Sequence, residues 1–458
     1  MMRSRNVDMI RGPIFKSVLI YAIPLIISGI LQIFFNAVDL AVVGNFAGDK
    51  AIAATAAVGT TGAFISLIVN AVMGLSGGVD VVLSRAVGAN DAEKSSRIVH
   101  TAIMTAVIGG SAVGIIGIIL SPYAMKMINC PGESYDMAIS YLSIYFAACP
   151  GIFVYNFGAS ILRSKGDTRR PLNILAVAGI FNVVMNLFFV IAFDMAAAGV
   201  ALATALSQYL AAFLIIRCLI VRNDEVKLFV NKLRIHKNEL LGMVKYGLPG
   251  GATNTIYCLA NIQIQTAINA FGASAVSGNS AAGSLEGFIM ATATAMNATA
   301  LAFIGQNIGA NNKDRIKKIM TVCILTTLCI SVFIGYGMYF TRNTLCGLYL
   351  PKDPVDTEAI RVAGVKATIM FTMYFVLSLS NMFSAISQAF GYSLNTSMIS
   401  IFGVFVFRTI WLNTVYARYK TIESVFMCWP ASWIIMIVLN CIVMFIAYTR
   451  YMKKGYIK

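Results

Sequence analysis

The chain has 458 residues, of which 58% are hydrophobic and only 12% are charged, and its mean hydropathy is +0.78. This composition is too apolar for a water-soluble protein of this length and indicates a polytopic membrane protein. The net charge of +16 does not indicate nucleic-acid binding, because the basic residues concentrate on one predicted side of the membrane.

A helix that crosses a bilayer needs about 20 apolar residues, and polar breaks divide this chain into twelve such spans. The sequence therefore predicts an all-α polytopic membrane protein with twelve transmembrane helices. The first six spans, in a predicted N-lobe of residues 1–221, are 17–46, 51–86, 98–127, 134–162, 171–193 and 196–221. The other six, in a predicted C-lobe of residues 241–458, are 241–271, 274–308, 316–339, 355–389, 393–416 and 422–448.

The two halves repeat one another. Residues 21–24 read YAIP and residues 246–249 read YGLP. The same spacing pairs Asn36 with Asn261, Phe46 with Phe271, Phe146 with Phe371, Asn156 with Asn381 and Gly166 with Gly391, and it slips only near the GAN triplets at 88–90 and 309–311. Six spans per copy give both copies the same orientation, so we predict two six-helix lobes related by a parallel repeat, an arrangement typical of transporters.

The placement of the basic residues predicts the orientation in the membrane. They lie mainly in the N-terminal segment, in the loops after spans 2, 4, 6 and 8 and in the C-terminal tail. By the positive-inside rule both termini are predicted to be cytoplasmic, and the cationic face is interpreted as a contact with anionic lipid. The linker at residues 222–240 is interpreted as a solvated tether, with a short amphipathic helix on the inner leaflet as the alternative.

Gln32, Asn36 and Asp39 are spaced by four and three residues and therefore share one face of span 1. Asp39 aligns with Ile264, so its carboxylate belongs to the first half only. An acid within a span usually faces the bundle interior or a water-filled cavity. The alternative is that Asp39 caps the outer end of its helix. Two further polar faces of this half predict a common interior, and they contain Asn182 and Asn186 in span 5 and Thr204 in span 6.

The second half is polar but holds few acids. Glu286 in span 8 is interpreted as either ion-coupled or structural. Arg408 in span 11 is interpreted as the only basic residue deep in a span, and Asp80 is expected to pair with Arg85. Neutral amides of this half can orient a substrate or join helices, and the candidates are Asn261 and Gln265 in span 7 and Asn381 and Gln388 in span 10.

Two other groups of residues suggest how a cavity would work. Pro24 and Pro249 occupy matching positions in spans 1 and 7, where each removes a backbone donor and predicts a hinge or a static kink. Aromatic and thioether side chains are typical of adaptable binding surfaces. The candidates for the cavity wall are Phe35, Tyr155, Tyr257 and Met290.

The sequence contains no HExxH, no GxxxxGK[ST] and no aspartate-rich metal motif, and its nine cysteines lack the spacing of metal ligands. We therefore expect no enzyme activity and no cofactor. Transport energy is expected to come from an ion gradient rather than from ATP.

Five segments together resemble the multidrug and toxic compound extrusion (MATE) family over almost the whole chain. They are PLIISGILQIFFNAVDLAVVG in span 1, SRAVGAN, LRSKGDTRRP, GVALATALSQ in span 6 and GQNIGANNKDR. The resemblance implies a cation-coupled efflux transporter whose two lobes surround a central cavity and rock between outward-open and inward-open states.

The resemblance also implies a cation site. The family's first-lobe site matches Asp39, Asn182, Asn186 and Thr204 of this chain. Asn186 stands where many prokaryotic relatives have an aspartate, and the second-lobe acids that some relatives carry on helices 7 and 10 are missing. Glu286 matches an acid that a subgroup carries on helix 8.

The resulting hypothesis is a secondary antiporter in the cell membrane, functional as a monomer, that exports amphipathic cationic organic compounds in exchange for H⁺ or Na⁺ bound at Asp39. Both ions stay open, since a buried carboxylate can take up a proton or bind a metal cation among oxygen donors. Three alternatives are a flippase for a lipid-linked precursor, an integral membrane enzyme acting on lipid, and a channel. A phosphorylated cargo would require several basic residues in the cavity, and a lipid enzyme would require clustered acids or histidines at a membrane face.

Overall fold

The computed structural model describes residues 6–128, 130, 132–347 and 356–454, and every regular element within these ranges is helical. The predicted all-α class is confirmed. The helices of the first half are α1 (Ile14–Phe46), α2 (Ala51–Gly88), α3 (Ala92–Met127), α4 (Gly132–Ala147), α5 (Cys149–Ser164), α6 (Arg169–Leu187) and α7 (Ala196–Val221). Those of the second half are α8 (Lys237–Asn269), α9 (Ala273–Gly309), α10 (Lys313–Gly347), α11 (Thr357–Ala389), α12 (Ser393–Ile401), α13 (Phe407–Trp411), α14 (Ala417–Tyr419), α15 (Ile422–Phe426) and α16 (Cys428–Lys454).

In the described part of the chain, ten helical segments are long and apolar enough to cross a membrane, and α4 with α5 makes an eleventh as a bent pair. The remaining predicted span corresponds to α8, which has 33 residues but is not among these segments. The middle of α8 reads GGATNT, and these small and polar residues lower its hydropathy.

Span 4 was predicted as one helix over 134–162, and this is wrong. Helix α4 ends at Ala147, α5 begins at Cys149, and the two helices are bent by 43°. Pro150 stands at the start of α5 and has no N–H to continue the preceding helix. Span 11 is likewise not a uniform helix, because π-helical turns at Phe402–Val406 and Leu412–Tyr416 flank α13.

The internal repeat is visible in the backbone of the turns. Asn90 and Asn311, the last residues of the two GAN triplets, have φ of 56° and 54° after α2 and α9. Asparagine is among the few residues that adopt this left-handed conformation readily. In the same way Gly166 and Gly391 have φ of 91° and 102° at a second pair of matching turns. The two copies therefore use the same stop signals at the same places.

The described chain divides into two compact units. Unit 1 comprises residues 6–8 and Ile27–Gly251, and unit 2 comprises Met9–Ile26 and the described part of Ala252–Lys458. The chain passes between the units at residues 8–9, before α1, and twice inside a continuous helix, shortly after Pro24 in α1 and Pro249 in α8. The lobe boundaries predicted from the sequence remain a prediction.

The linker between the halves is packed onto unit 1 rather than solvated, so the interpretation as a tether is wrong. Val226 and Leu228 are fully buried and belong to the apolar core of unit 1. The Leu228 N–H donates to the Leu219 carbonyl of α7 at 3.1 Å. The alternative of a separate amphipathic helix is not found either, since between the end of α7 and the start of α8 at Lys237 the described linker contains only the short helical turn Val230–Lys232.

Arg222 anchors the start of the linker. Its guanidinium lies 3.2 Å from the Asp167 carboxylate and 2.5 Å from that of Asp224, and its side chain is 5% exposed. Lys165 also pairs with Glu225. Burial opposes ionisation of Asp224, but the hydrogen bonds and charge of Arg222 outweigh it and hold the pKa of Asp224 below its ordinary value.

A second anchor involves His100 of α3. Its Nδ1 lies 2.6 Å from the Ser96 carbonyl, and its Nε2 accepts the Phe229 N–H at 3.0 Å. An imidazole that donates from Nδ1 and accepts at Nε2 is neutral. The rings of His100 and Phe229 are also stacked, with centroids 6.2 Å apart. The linker is therefore held to α3 by directional contacts.

Candidate functional site

The Asp39 carboxylate of α1 lies in a closed ring of hydrogen bonds with side chains of α6 and α7, all within unit 1. Asn186 Nδ2 donates to Asp39 Oδ1 at 2.5 Å and to Asn182 Oδ1 at 3.2 Å. Asn182 Nδ2 donates to Thr204 Oγ1 at 3.2 Å, and Thr204 Oγ1 donates to Asp39 Oδ2 at 3.5 Å. The structure thus brings together the four residues that the sequence selected from three separate helices.

Local sequence explains how α1 and α6 approach each other at this ring. Gly179, Asn182 and Asn186 are spaced by three and four residues on one face of α6. On α1, Phe35 precedes Asp39 by one turn. A Cβ at Gly179 would overlap the Phe35 ring, so the glycine admits the aromatic ring that fixes this face of α1 against α6. Gly179 lies one turn before Asn182 and was not among the residues predicted from the sequence.

One oxygen atom of the ring has no hydrogen-bond partner among the described residues. Asn182 and Asn186 are buried, Asp39 is half-buried, and Asn186 Oδ1 has no hydrogen-bond partner among the described residues. A buried acceptor left unpaired costs about 1–3 kcal/mol, which a bound cation or a donated proton would offset. Helix α6 passes directly into a π-helical turn, Phe188–Ala192, and such turns are frequent at functional sites.

Two tyrosines near the ring were not predicted from the sequence. Tyr141 and Tyr145 of α4 are buried, and they lie close enough to Asp39 for its charge to act on both phenols. They stand four residues apart and therefore share one face of α4.

Other predicted residues of unit 1 lie outside the ring. Gln32 is half-buried and Asn36 is exposed. Tyr155 is buried, and its hydroxyl donates to the Pro171 carbonyl at 3.3 Å, so it joins α5 to the start of α6.

The expected pairing of Asp80 with Arg85 is wrong. Asp80 Oδ2 accepts from Ser160 at 3.2 Å and from Arg163 at 3.1 Å, whereas Arg85 donates to the Tyr246 hydroxyl at 3.2 Å. Ser160 and Arg163 are three residues apart on α5 and thus reach one carboxylate together.

In unit 2, Glu286 of α9 pairs with Lys366 of α11. Lys366 Nζ lies 3.1 Å from Glu286 Oε1, and the two side chains are 5% and 18% exposed. The Tyr374 hydroxyl is hydrogen-bonded to Glu286 as well. The interpretation of Arg408 as the only basic residue deep in a span is therefore wrong, because Lys366 lies ten residues into α11. Arg408 itself is 2% exposed and donates from Nε to Ser432 Oγ at 3.1 Å.

The remaining predicted residues of unit 2 are dispersed. Gln265 Oε1 accepts from Asn279 at 3.2 Å, and Gln388 donates to Ser384 at 3.1 Å. Tyr257 packs against the buried cluster of Ala260, Val404 and Met436, Asn381 is half-buried, and Asn261 and Met290 are exposed. Among the described residues, no group of three His, Cys, Asp or Glu side chains is placed to hold a metal ion.

Comparison with known proteins gives consistent matches. The family model MatE matches residues 24–188 and 249–412, once in each copy of the repeat. The probable multidrug resistance protein YpnP of Bacillus subtilis is 28% identical over 309 residues, which cover 68% of each chain. The multidrug export protein MepA of Staphylococcus saprophyticus is 20% identical over 85% of each chain. A solved multidrug resistance MATE transporter in its outward-facing conformation superposes with a TM-score of 0.84 over 98% of this chain and 97% of that one, at 20% identity.

Proposed function

This chain belongs to the MatE family of multidrug efflux transporters, and from that premise we propose that it exports amphipathic organic cations in exchange for an inward-moving H⁺ or Na⁺. Its relatives are transporters of the cell membrane rather than enzymes. The observation that carries the proposal is the Asp39 ring, which holds one carboxylate among neutral partners only.

The chemistry of the ring supports a competition between two cations. Asp39 accepts hydrogen bonds from Asn186 and Thr204, and these donors stabilise its ionised form. A proton or Na⁺ that enters from outside neutralises the carboxylate, and Asn182 Oδ1 with the unpaired Asn186 Oδ1 supplies oxygen ligands for it. An organic cation that binds the ionised form from inside excludes the ion, so one negative charge serves the two species in turn.

Conformational change is proposed to occur within α1 and α8. The passage from one compact unit to the other lies a few residues after Pro24 and Pro249. Proline weakens the backbone ladder of a helix at that point, which makes these positions the candidates for a hinge. The packed linker, held by Arg222 and His100, is a poor candidate for the same role.

The chain is further proposed to act as a monomer with both termini in the cytoplasm. The concentration of basic residues in the N-terminal segment and the C-terminal tail supports this orientation.

A flippase for a lipid-linked precursor is less well supported. Its phosphates would require accessible cations, whereas Lys366 is paired with Glu286 and Arg408 is 2% exposed. A cation that is already paired, such as Lys366, and a cation that is buried, such as Arg408, do not provide an accessible phosphate site.

The test is export from proteoliposomes that contain purified protein, with an imposed gradient of H⁺ or Na⁺ and a fluorescent monovalent organic cation. We expect Asp39→Asn to abolish gradient-driven export, because the amide keeps the shape of the side chain and loses its charge. Asp194→Asn is the matched control, since this acid is exposed and pairs with Lys50 away from the ring. Export by Asp39→Asn at the wild-type rate would refute the proposal.

A further inference from the structure

The ion pair between Glu286 and Lys366 gives unit 2 a different charge state from the Asp39 ring. Glu286 lies in the middle part of α9, whereas the other described acids of unit 2 stand at helix starts. These other acids are Asp314, Asp356, Glu358 and Glu423. Glu286 is therefore the acid of this unit that an exchangeable cation would have to use.

Lys366 already makes the contacts that such a cation would make. Its Nζ lies 3.1 Å from Glu286 Oε1, 3.3 Å from the Asn279 carbonyl oxygen and 5.4 Å from the centroid of the Trp429 ring. A carboxylate, a carbonyl and the face of an indole are favourable surroundings for a small cation. No side chain intervenes at Gly283, where a Cβ would stand 3.4 Å from Nζ.

The burial of the pair keeps the ammonium in place. The Lys366 side chain is 5% exposed, and separating two buried charges leaves each of them without compensation. The ring around Asp39 offers no such partner, because Asn182, Asn186 and Thr204 are all neutral. The Glu286 carboxylate is thus compensated by a cation of the chain itself, and the Asp39 carboxylate is not.

We infer that Lys366 is a tethered counter-cation, which occupies Glu286 permanently and limits the chain to one exchangeable cation, bound at Asp39. This inference rests on the proposed ion-coupled export. The charged and titratable groups around the pair are Tyr374, which is bonded to Glu286, Arg408, which acts on Tyr374, Cys346, on which the charge of Lys366 acts, and Arg342, which also acts on Cys346. All of them are neutral or cationic when Glu286 is ionised, so none replaces Lys366 as a competitor for an incoming cation.

The experiment measures cation binding directly on the purified protein, with radioactive Na⁺ at equilibrium and, separately, with proton release in weakly buffered solution. Lys366→Met keeps the length of the side chain and removes its charge. We expect this variant to bind one more cation than the wild type. The double variant Lys366→Met/Glu286→Gln lacks the uncompensated carboxylate and should bind the same number as the wild type. Lys366→Arg, the control that keeps the charge, should bind the wild-type number. An unchanged number in Lys366→Met would overturn the inference.

Glu286→Gln provides a second test if Lys366→Met does not fold. A tethered counter-cation predicts that Glu286→Gln binds as many cations as the wild type, and a smaller number would show that Glu286 holds an exchangeable ion. The proposed function has a separate readout in Asp39→Asn, which should bind one cation fewer than the wild type. Asp39→Asn/Lys366→Met should regain it, because the two carboxylates belong to different units.

Discussion

Replacing Arg222 by alanine tests whether the linker is anchored as the structure indicates. The side chains of Arg222 and Asp167 are 5% and 1% exposed, and their closest atoms are 3.2 Å apart. Breaking a buried pair by removing one partner costs about 3–5 kcal/mol. Arg170 also lies 3.2 Å from Asp167 and is 37% exposed, so part of the compensation persists and we expect the lower end of that range.

About 3 kcal/mol corresponds to a fall of about 6–12 °C in the melting temperature of a unit of this size. The measurement is thermal denaturation of the purified protein in detergent, followed by fluorescence size-exclusion chromatography. Arg170→Ala is the matched control, because it removes a partner of the same carboxylate from a half-exposed position, where pairs contribute about 0–1 kcal/mol. If Arg222→Ala lowers the melting temperature no more than Arg170→Ala does, the buried pair does not anchor the linker.

Three further predictions concern single positions. Gly179→Ala should displace the Phe35 ring, lower the stability of the fold by about 1–3 kcal/mol and slow gradient-driven export. If overlap with the ring is the cause, adding Phe35→Leu to the Gly179→Ala variant should restore the export rate. Asp224→Asn should lower the melting temperature at neutral pH. The pKa of Asp224 in the folded state lies below its ordinary value of 3.8. The carboxylate therefore stabilises the fold above pH 3.8, and this stabilisation is lost as the pH falls through the folded-state pKa. The melting temperatures of the variant and the wild type should therefore become equal in acid. Asn90→Ala should cost about 1–2 kcal/mol because φ is positive there, whereas Asn90→Gly should leave the melting temperature unchanged.

Periodic and repeated features of the fold were predictable from the sequence. The apolar spans and the turns at Asn90 and Asn311 are determined by residues that are close together in the chain. The duplication is found by comparing the two halves of the sequence directly. Helical spacing identified the polar face of α1 that holds Asp39 and the polar face of α6 that holds Asn182 and Asn186. That these two faces contact each other could be learned only from the structure.

Contacts between distant residues that share no pattern were not predictable. The pairing of Glu286 with Lys366 joins two helices without a motif, and Lys366 follows Glu358 and Arg361 in the first part of α11, where a charge does not stand out in the sequence. Burial of Val226 was missed because the linker's composition is polar, while only its tertiary packing decides the outcome. The division of span 4 had a local signal, Pro150, whose effect was underestimated.

The division of the chain into units has an evolutionary consequence. Residues 14–26 of α1 are grouped with the helices of the second copy, and residues 237–251 of α8 with those of the first. Each duplicated copy thus lends its opening half-helix to the other, as in a domain-swapped dimer. A single copy could complete either unit only by pairing with a second molecule, whereas in this chain the exchange takes place within one molecule. Fragments of this protein that begin or end in the linker should therefore fold only when both are made in the same membrane.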